Sequence, residues 1–291
     1  MKLHCAMALS ELSADVQRIL FVQLCNPLDP GIAVALSSVS KELRTATRAP
    51  LQQLKADHEA AAALCHKLGR SCKALREAKG VVCYEKGLTA NELNLLGTLG
   101  SVLPAVKSLH LNEPAAGPNG VRQLAEGLGA GALPALTEVR IFAGTHVGDA
   151  GALALAAALG QGALPRLKSL TLYNAAIGDA GLVALAPALR RRPALERLCF
   201  LYNPLGDEGL AALVAPPQPA GAPPTTTGGL AQLKVLHLSE TQITDAGCAA
   251  LAAALAAGAL PAFKHLFLDG IPASAAAKAA VYAARANLRG N

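Results

Sequence analysis

A hexad of the form Leu-x-x-Leu-x-Leu returns at near-regular intervals through most of this chain, and that return restricts the fold to a stack of like units. The copies are Val106/Leu109/Leu111, Leu136/Val139/Ile141, Leu167/Leu170/Leu172, Leu195/Leu198/Phe200, Leu233/Leu236/Leu238 and Phe263/Leu266/Leu268, with starts 30, 31, 28, 38 and 30 residues apart. A weaker copy, Ala78/Val81/Cys83, starts 28 residues before the first. Leu133-Pro134, Leu164-Pro165, Arg192-Pro193 and Leu260-Pro261 introduce four of the units. A second box follows in the well-formed ones: Val147-Gly148-Asp149-Ala150-Gly151, Ile177-Gly178-Asp179-Ala180-Gly181, Leu205-Gly206-Asp207-Glu208-Gly209 and Ile243-Thr244-Asp245-Ala246-Gly247.

Each unit has a physical reading. The Leu-x-Leu alternation has period 2 and predicts a very short strand with one buried face. The Asp of the second box falls where a helix N-cap or first-turn acid belongs. A helical stretch such as Leu153, Leu155 and Leu159 follows and is ended by Gly160 or Gly162. Ala and Leu supply 113 of the 291 residues, against nine aromatic rings and no Trp, so neighbouring helices must approach closely on small side chains. One strand–helix pair cannot bury its apolar face alone, whereas seven stacked pairs make a continuous core. The expected fold class is α/β: parallel inner strands, helices outside, and an all-helical segment in front.

These units resemble leucine-rich repeats, specifically the long ribonuclease-inhibitor subtype, over about residues 78–275. The resemblance implies a right-handed α/β horseshoe that binds proteins on its concave face. The family's Asn, which bonds backbone groups along the turn, is in register only as Asn203; Gly144, Ala175 and Thr241 occupy the matching positions, and unit two carries an extra residue near His146. The first loop, 113–118, is degenerate. A Pro-, Gly- and Thr-rich stretch at 214–229 accounts for the 38-residue interval and reads as a flexible insertion. Residues 276–291 read as a helical C-terminal cap.

The first 50 residues predict three short helices, from Leu12 to about Leu24, from Asp29-Pro30 onward, and from about Val39 to Ala49, with Asn26-Pro27 and Pro50 as stops. Three helices in so short a span, with Leu28-Asp29-Pro30 and Val39-Ser40-Lys41-Glu42-Leu43-Arg44 eleven residues apart, resemble an F-box. That resemblance implies docking on the Skp adaptor of cullin ubiquitin ligases, with Leu12, Leu28, Leu36, Val39 and Leu43 as interface or core residues. Ser13 and Leu43 stand where the family usually has Pro and Trp; a plain helical cap on the repeats is the competing reading. Residues 51–77 show a 3,4 seam (Leu51, Leu54, His58, Ala61, Cys65, Leu68, Cys72, Leu75) that predicts one long connecting helix packed on the solenoid. On such a helix His58, Cys65 and Cys72 would lie about 10.5 Å apart in turn and could not share one metal ion.

The net charge of +6 is concentrated at 41–86, where ten basic and five acidic residues interleave, as on a solvated helix face. Tyr84 is the only aromatic there, which argues against nucleic-acid binding, where stacking rings are the rule. Seven Cys without a paired framework fit a reduced chain, and the cytoplasm or nucleus is the expected location. The longest uncharged stretch, 246–263, is broken by Gly and Pro and repeats elsewhere as a helix, so no membrane span is expected. No phosphate-binding loop, nucleophile elbow or paired-His motif is present. No catalytic residue, metal or cofactor is expected.

Function is therefore expected on the inner sheet, where alternation frees Ser108, His110, Asn112; Glu138, Arg140, Phe142; Ser169, Thr171, Tyr173; Arg197, Cys199, Leu201; Val235, His237, Ser239; and His265, Phe267, Asp269 from packing. His110, Arg140, Phe142, Tyr173, Arg197, His237, His265 and Phe267 are the candidate partner-binding residues, since rings and Arg dominate protein interfaces. The expected function is non-enzymatic protein binding, with an F-box-type substrate receptor as its sharpest form. A Ran-type GTPase activator, which resembles the same repeats, is the alternative.

Overall fold

The structure, a computed structural model, describes residues 12–214 and 229–290. It divides into two compact units that meet in sequence at Glu77 and Ala78. All but the two end residues of the expected insertion lie outside the described residues.

The second unit is a seven-stranded, all-parallel sheet in chain order: β1 Gly80–Tyr84, β2 Ser108–Asn112, β3 Glu138–Ile141, β4 Ser169–Leu172, β5 Arg197–Cys199, β6 Val235–His237 and β7 His265–Phe267. Pairing is in strict register, so Val81, Leu109, Val139, Leu170, Leu198, Leu236 and Leu266 stand abreast. All seven are buried. Such a row is what a period-2 pattern gives when every unit repeats it, and together with the intervening helices it makes the unit a leucine-rich-repeat solenoid.

The intervening helices run Ala90–Thr98, Gly120–Gly127, Gly148–Gly160, Asp179–Arg190, Asp207–Val214, Asp245–Ala256 and Ala275–Ala283 (α6 to α12, after five helices of the first unit), each packed on the next. The box Asp sits in the first turn of its own helix, as the sequence predicts, but its carboxylate serves the following one. Asp149 accepts from the backbone N–H groups of Gly178 and Gly181, Asp179 from those of Gly206 and Gly209, Asp207 from Thr244, and Asp245 from Ser274. Free amides at each helix N-terminus are thus capped from the preceding unit. This also explains the last Gly of the box: a Cβ at Gly181 would lie 2.5 Å from Asp149 Oδ1, and one at Gly247 2.2 Å from Asp207 Oδ1.

The loops on the other side of the strands carry a second ladder. Asn203, fully enclosed, accepts through Oδ1 from the amides of Ala175 and Ile177 and donates to the carbonyls of Leu172 and Phe200. In the loop expected to be degenerate, the buried carboxylate of Glu113 takes the same part, accepting from Lys86 N–H and Leu88 N–H of the preceding unit. Thr145, rather than Gly144, holds the matching place in unit two: it is buried and its Oγ1 accepts from Glu113 N–H. The extra residue of that unit therefore lies before Thr145, displacing the match by one. The expected helical cap ends with α12 at Ala283; the chain then returns to the sheet, where Arg289 bridges His265 beside β7.

In the first unit, α1 (Ala14–Leu24), α2 (Gly31–Ser37), α3 (Lys41–Ala46), α4 (Arg48–Lys67) and α5 (Cys72–Arg76) surround a small core of Phe21, Ala33 and Leu54, flanked by Cys25, Leu36 and Leu51. Ser13 caps α1 and Ser40 caps α3 through their hydroxyls. Two expectations change here. Pro50 does not stop a helix but lies in the first turn of α4, where a missing N–H costs nothing. The 3,4 seam is not one helix either, because Gly69 at φ 69° breaks it and turns the chain into α5.

Candidate protein-binding face

The strand register sorts the outward side chains into three layers across the sheet. The first holds Ser108, Glu138, Ser169, Arg197, Val235 and His265. The second holds Val82, His110, Arg140, Thr171, Cys199, His237 and Phe267. The third lies at the C-terminal ends of the strands and contains Tyr84, Asn112, Phe142 and Tyr173. All eight candidate residues are part-exposed or exposed, while the Leu, Ile and Val that alternate with them are buried. Ser169 and Ser239 are outward in register yet largely covered.

The third layer forms a continuous ring row. Tyr84 and Phe142 meet edge to face with centroids 5.6 Å apart, Phe142 and Tyr173 at 6.1 Å, and Tyr173 and Tyr202 edge to face at 5.6 Å. The backbones bearing Tyr84 and Phe142 are separated by β2, a gap of about 9.6 Å. Their rings therefore lean together over Asn112, whose Oδ1 accepts from Gly144 N–H. Tyr84 is 42% exposed, Tyr202 46%, and Val82 beside them 43%. Three of these residues escape the sequence pattern. Val82 and Tyr84 lie on the weak first copy, and Tyr202 is out of step with the alternation 197, 199, 201. A left-handed turn at Tyr202, φ 59°, brings its ring back onto the row.

The charged candidates are organised differently. Arg140 is not a free cation: its Nη2 lies 2.6 Å and its Nε 2.8 Å from Glu138 Oε1 on the same strand. His110 Nε2 approaches Glu138 Oε2 at 3.6 Å. Burial opposes ionisation of Glu138, but the Arg140 guanidinium with His110 beside it outweighs burial and holds the carboxyl below its usual range. His237 and Phe267 pair at 4.8 Å between centroids, and His237 Nε2 lies 3.1 Å from Ser239 Oγ. Burial lowers the His237 pKa, with Asp269 opposing, and burial raises that of the Cys199 thiol. The candidates do not merge into one patch. A ring row occupies β1–β5, a separate His–Phe pair lies on β6–β7, and Arg197 and His265 belong to the first layer.

Of the residues that the F-box resemblance picks out, Leu28 and Leu43 are enclosed at 4% and 1% exposure, and Leu36 packs against the core. Leu12 and Val39 stand on the surface. Around them Val16, Ile19, Leu20, Val22, Leu24, Ile32 and Val34 are also exposed. His58, Cys65 and Cys72 part company for a reason other than helix rise. His58 Nδ1 contacts the Pro27 carbonyl at 2.6 Å, whereas the turn at Gly69 brings the Cys72 thiol to Cys65, whose pKa is raised by burial and then by that neighbour. Among the described residues no His, Cys, Asp and Glu group could hold a metal, and no helix is long and apolar enough to cross a membrane.

A family profile described as a leucine-rich repeat matches residues 232–252, which contain β6 and the start of α11. Among solved structures, the chain is similar to an internalin (inlF) from Listeria monocytogenes at 16% identity and TM-score 0.36, over 66% of this chain and 49% of that one. It is also similar to TLR13 in a complex with ssRNA13 (14%, TM-score 0.27, 68% of this chain and 33% of that one). A third is the Leptospira interrogans leucine-rich-repeat protein LIC12759 (12%, TM-score 0.20, 75% and 97%). The chain thus spans about half the internalin and a third of TLR13. None of the curated protein sequences matches it.

Proposed function

We propose that the solenoid, of the ribonuclease-inhibitor type, is a non-catalytic protein-binding module whose partner docks on the open face of the sheet. Units of about 30 residues with a full helix in nearly every one support the subtype. The observation that carries the binding site is the ring row Tyr84–Phe142–Tyr173–Tyr202. Four aromatic rings in mutual contact, with solvent on their outer side and no place in the core, are what an interface anchor requires and a core does not. Truncating an anchor typically costs about 2 kcal/mol or more, roughly thirty-fold in affinity. Tyr173→Ala combined with Tyr202→Ala should therefore cut capture of the principal partner from cell extract at least tenfold, as read by quantitative mass spectrometry. Undiminished capture would move the site off this face. Arg140→Ala is a poorer probe, because it also strands Glu138.

A second reading concerns the first unit, and rests on its exposed apolar residues. Ile19, Val22, Ile32 and Val39 are each about half exposed or more, which fits helices that meet an adaptor of the Skp type. Val39→Asp should abolish adaptor binding while leaving the fold intact. A folded variant and wild type with the same lack of adaptor affinity at micromolar concentration would leave these helices without that role.

A further inference from the structure

Opposite the ring row, where the strands begin, the positions just before each strand form a line of their own, Lys79, Lys107, Thr137, Lys168, Glu196, Lys234 and Lys264, which Arg289, abreast of His265, extends past β7 as an eighth member. Backbone bonds fix the seven abreast and carry the row on to Arg289. The Lys79 carbonyl accepts from Lys107 N–H, Lys107 from Thr137, Thr137 from Lys168, Lys168 from Glu196, Glu196 from Lys234, Lys234 from Lys264 and Lys264 from Arg289. Six of the eight are cationic. In the middle of the line three side chains meet, the carboxylate of Glu196 reaching both neighbours, Lys234 Nζ at 2.7 Å and Lys168 Nζ at 3.7 Å. Among the described residues, Lys79, Lys107, Lys264 and Arg289 have no carboxylate within ion-pair distance. The line ends in a cleft of about 450 Å³ walled by Lys264, His265, Ala286, Asn287 and Arg289, without an acid.

We infer that this edge binds an extended acidic polypeptide segment, laid across the strands with its end in the Lys264–Arg289 cleft. The inference deepens the reading of the sheet as a protein-binding face by giving the partner's chemistry. Seven steps at about 4.8 Å make roughly 34 Å, which about ten residues of extended chain span at about 3.3 Å each. The flexible Lys stems absorb the mismatch between strand spacing and carboxylate spacing. Nucleic acid fits less well. Bases need faces to stack on, the rings lie at the far end of the strands, and they are already locked edge to face with one another.

Binding of a fluorescein-labelled 20-residue poly-L-glutamate to the full chain, followed by anisotropy at low and moderate salt, tests this against a labelled 20-mer of oligothymidylate. The peptide should bind more tightly than the oligonucleotide and weaken as salt screens the row. Lys107→Glu with Lys264→Glu and Arg289→Glu should weaken it at least tenfold; the Gln versions, milder on folding, should weaken it about threefold. Glu196→Gln, which releases Lys168 and Lys234, should tighten binding about twofold to threefold, whereas Glu208→Gln on α10 should leave it unchanged. No peptide binding at 100 µM, equal or tighter oligonucleotide binding, or indifference to the folded triple variants would overturn the inference. Tyr173→Ala with Tyr202→Ala should leave this binding unaltered, so failure of the ring-row reading and failure of the acidic-segment reading are separable.

Discussion

The N-terminal unit exposes nine large apolar side chains in its 66 described residues, namely Leu12, Val16, Ile19, Leu20, Val22, Leu24, Ile32, Val34 and Val39; the solenoid exposes five in 199, namely Val82, Tyr84, Leu153, Val183 and Tyr202. The contrast follows from how each buries what it has. A repeat has a neighbour on either side, so each Leu of a strand meets the same Leu of the next, and each Asp finds the next helix's amides. The helices of the N-terminal unit do not repeat and have no such neighbours. Their core is Phe21, Ala33 and Leu54, and most of the apolar surface of α1 and α2 stays outside it. Apolar exposure in the solenoid is sparse, with Tyr84 and Tyr202 in the ring row and Val82 beside it, whereas in the N-terminal unit it is broad and aliphatic.

The largest effect that separates the two follows from Leu28 and Val39. A charge buried without a partner destabilises strongly, so Leu28→Asp should cost about 3 kcal/mol or more, while Val39→Asp at an exposed position should cost under about 0.5 kcal/mol. Leu28→Asp is therefore a folding variant and not an adaptor-binding test. Chemical denaturation of both variants checks this. Comparable losses would mean that the apolar surface near Val39 is closed in solution, and the contrast between the units would fail.

A smaller effect tests the solenoid's side of the comparison. Asn203→Ala removes the acceptor of two buried amides, those of Ala175 and Ile177, and each unsatisfied donor costs about 1–3 kcal/mol. Thr241 occupies the next place in the ladder, but its Oγ1 donates only to the Leu238 carbonyl of its own turn. Thr241→Ala should therefore cost about 1 kcal/mol, well short of Asn203→Ala in a urea titration. Equal losses would show that the ladder is carried by shape and not by amide satisfaction.

What the sequence made legible divides along the same line. Strand positions, parallel order and outward register could be read because one pattern is repeated in every unit, and an error in one copy is corrected by the others. Contacts that depend on a single copy were not readable. Glu113 replaces Asn in the ladder with a different side chain at a shifted position. Tyr202 joins the ring row through a left-handed turn, and the period-2 rule does not describe turns. The reach of Asp149 or Asp179 into the next unit is a tertiary fact, although the matching Gly was visible in the box. In the N-terminal unit nothing repeats, so Pro50 could be taken as a stop although it lies in the first turn of α4, and the break at Gly69 was hidden by a seam that continued through it.

The smallest expected effect tests whether the face of β6–β7 is as closed as its geometry implies. His237 is packed against Phe267 and Ser239, and burial depresses its pKa below 6.5 in the folded chain despite Asp269. The unfolded chain then binds more protons than the folded one between the two pKa values, so stability is full above pH 6.5 and falls as pH drops through that window. The melting temperature of the wild type should decline more between pH 7.5 and pH 5 than that of His237→Gln, which cannot take up the proton. The remaining histidines contribute equally to both curves, and the carboxylates of Glu138 and Glu196, held below their usual range, lose their contribution only at lower pH. Parallel curves for the two proteins would mean that water reaches His237, and that the pair it makes with Phe267 belongs to the accessible surface on which a partner could act.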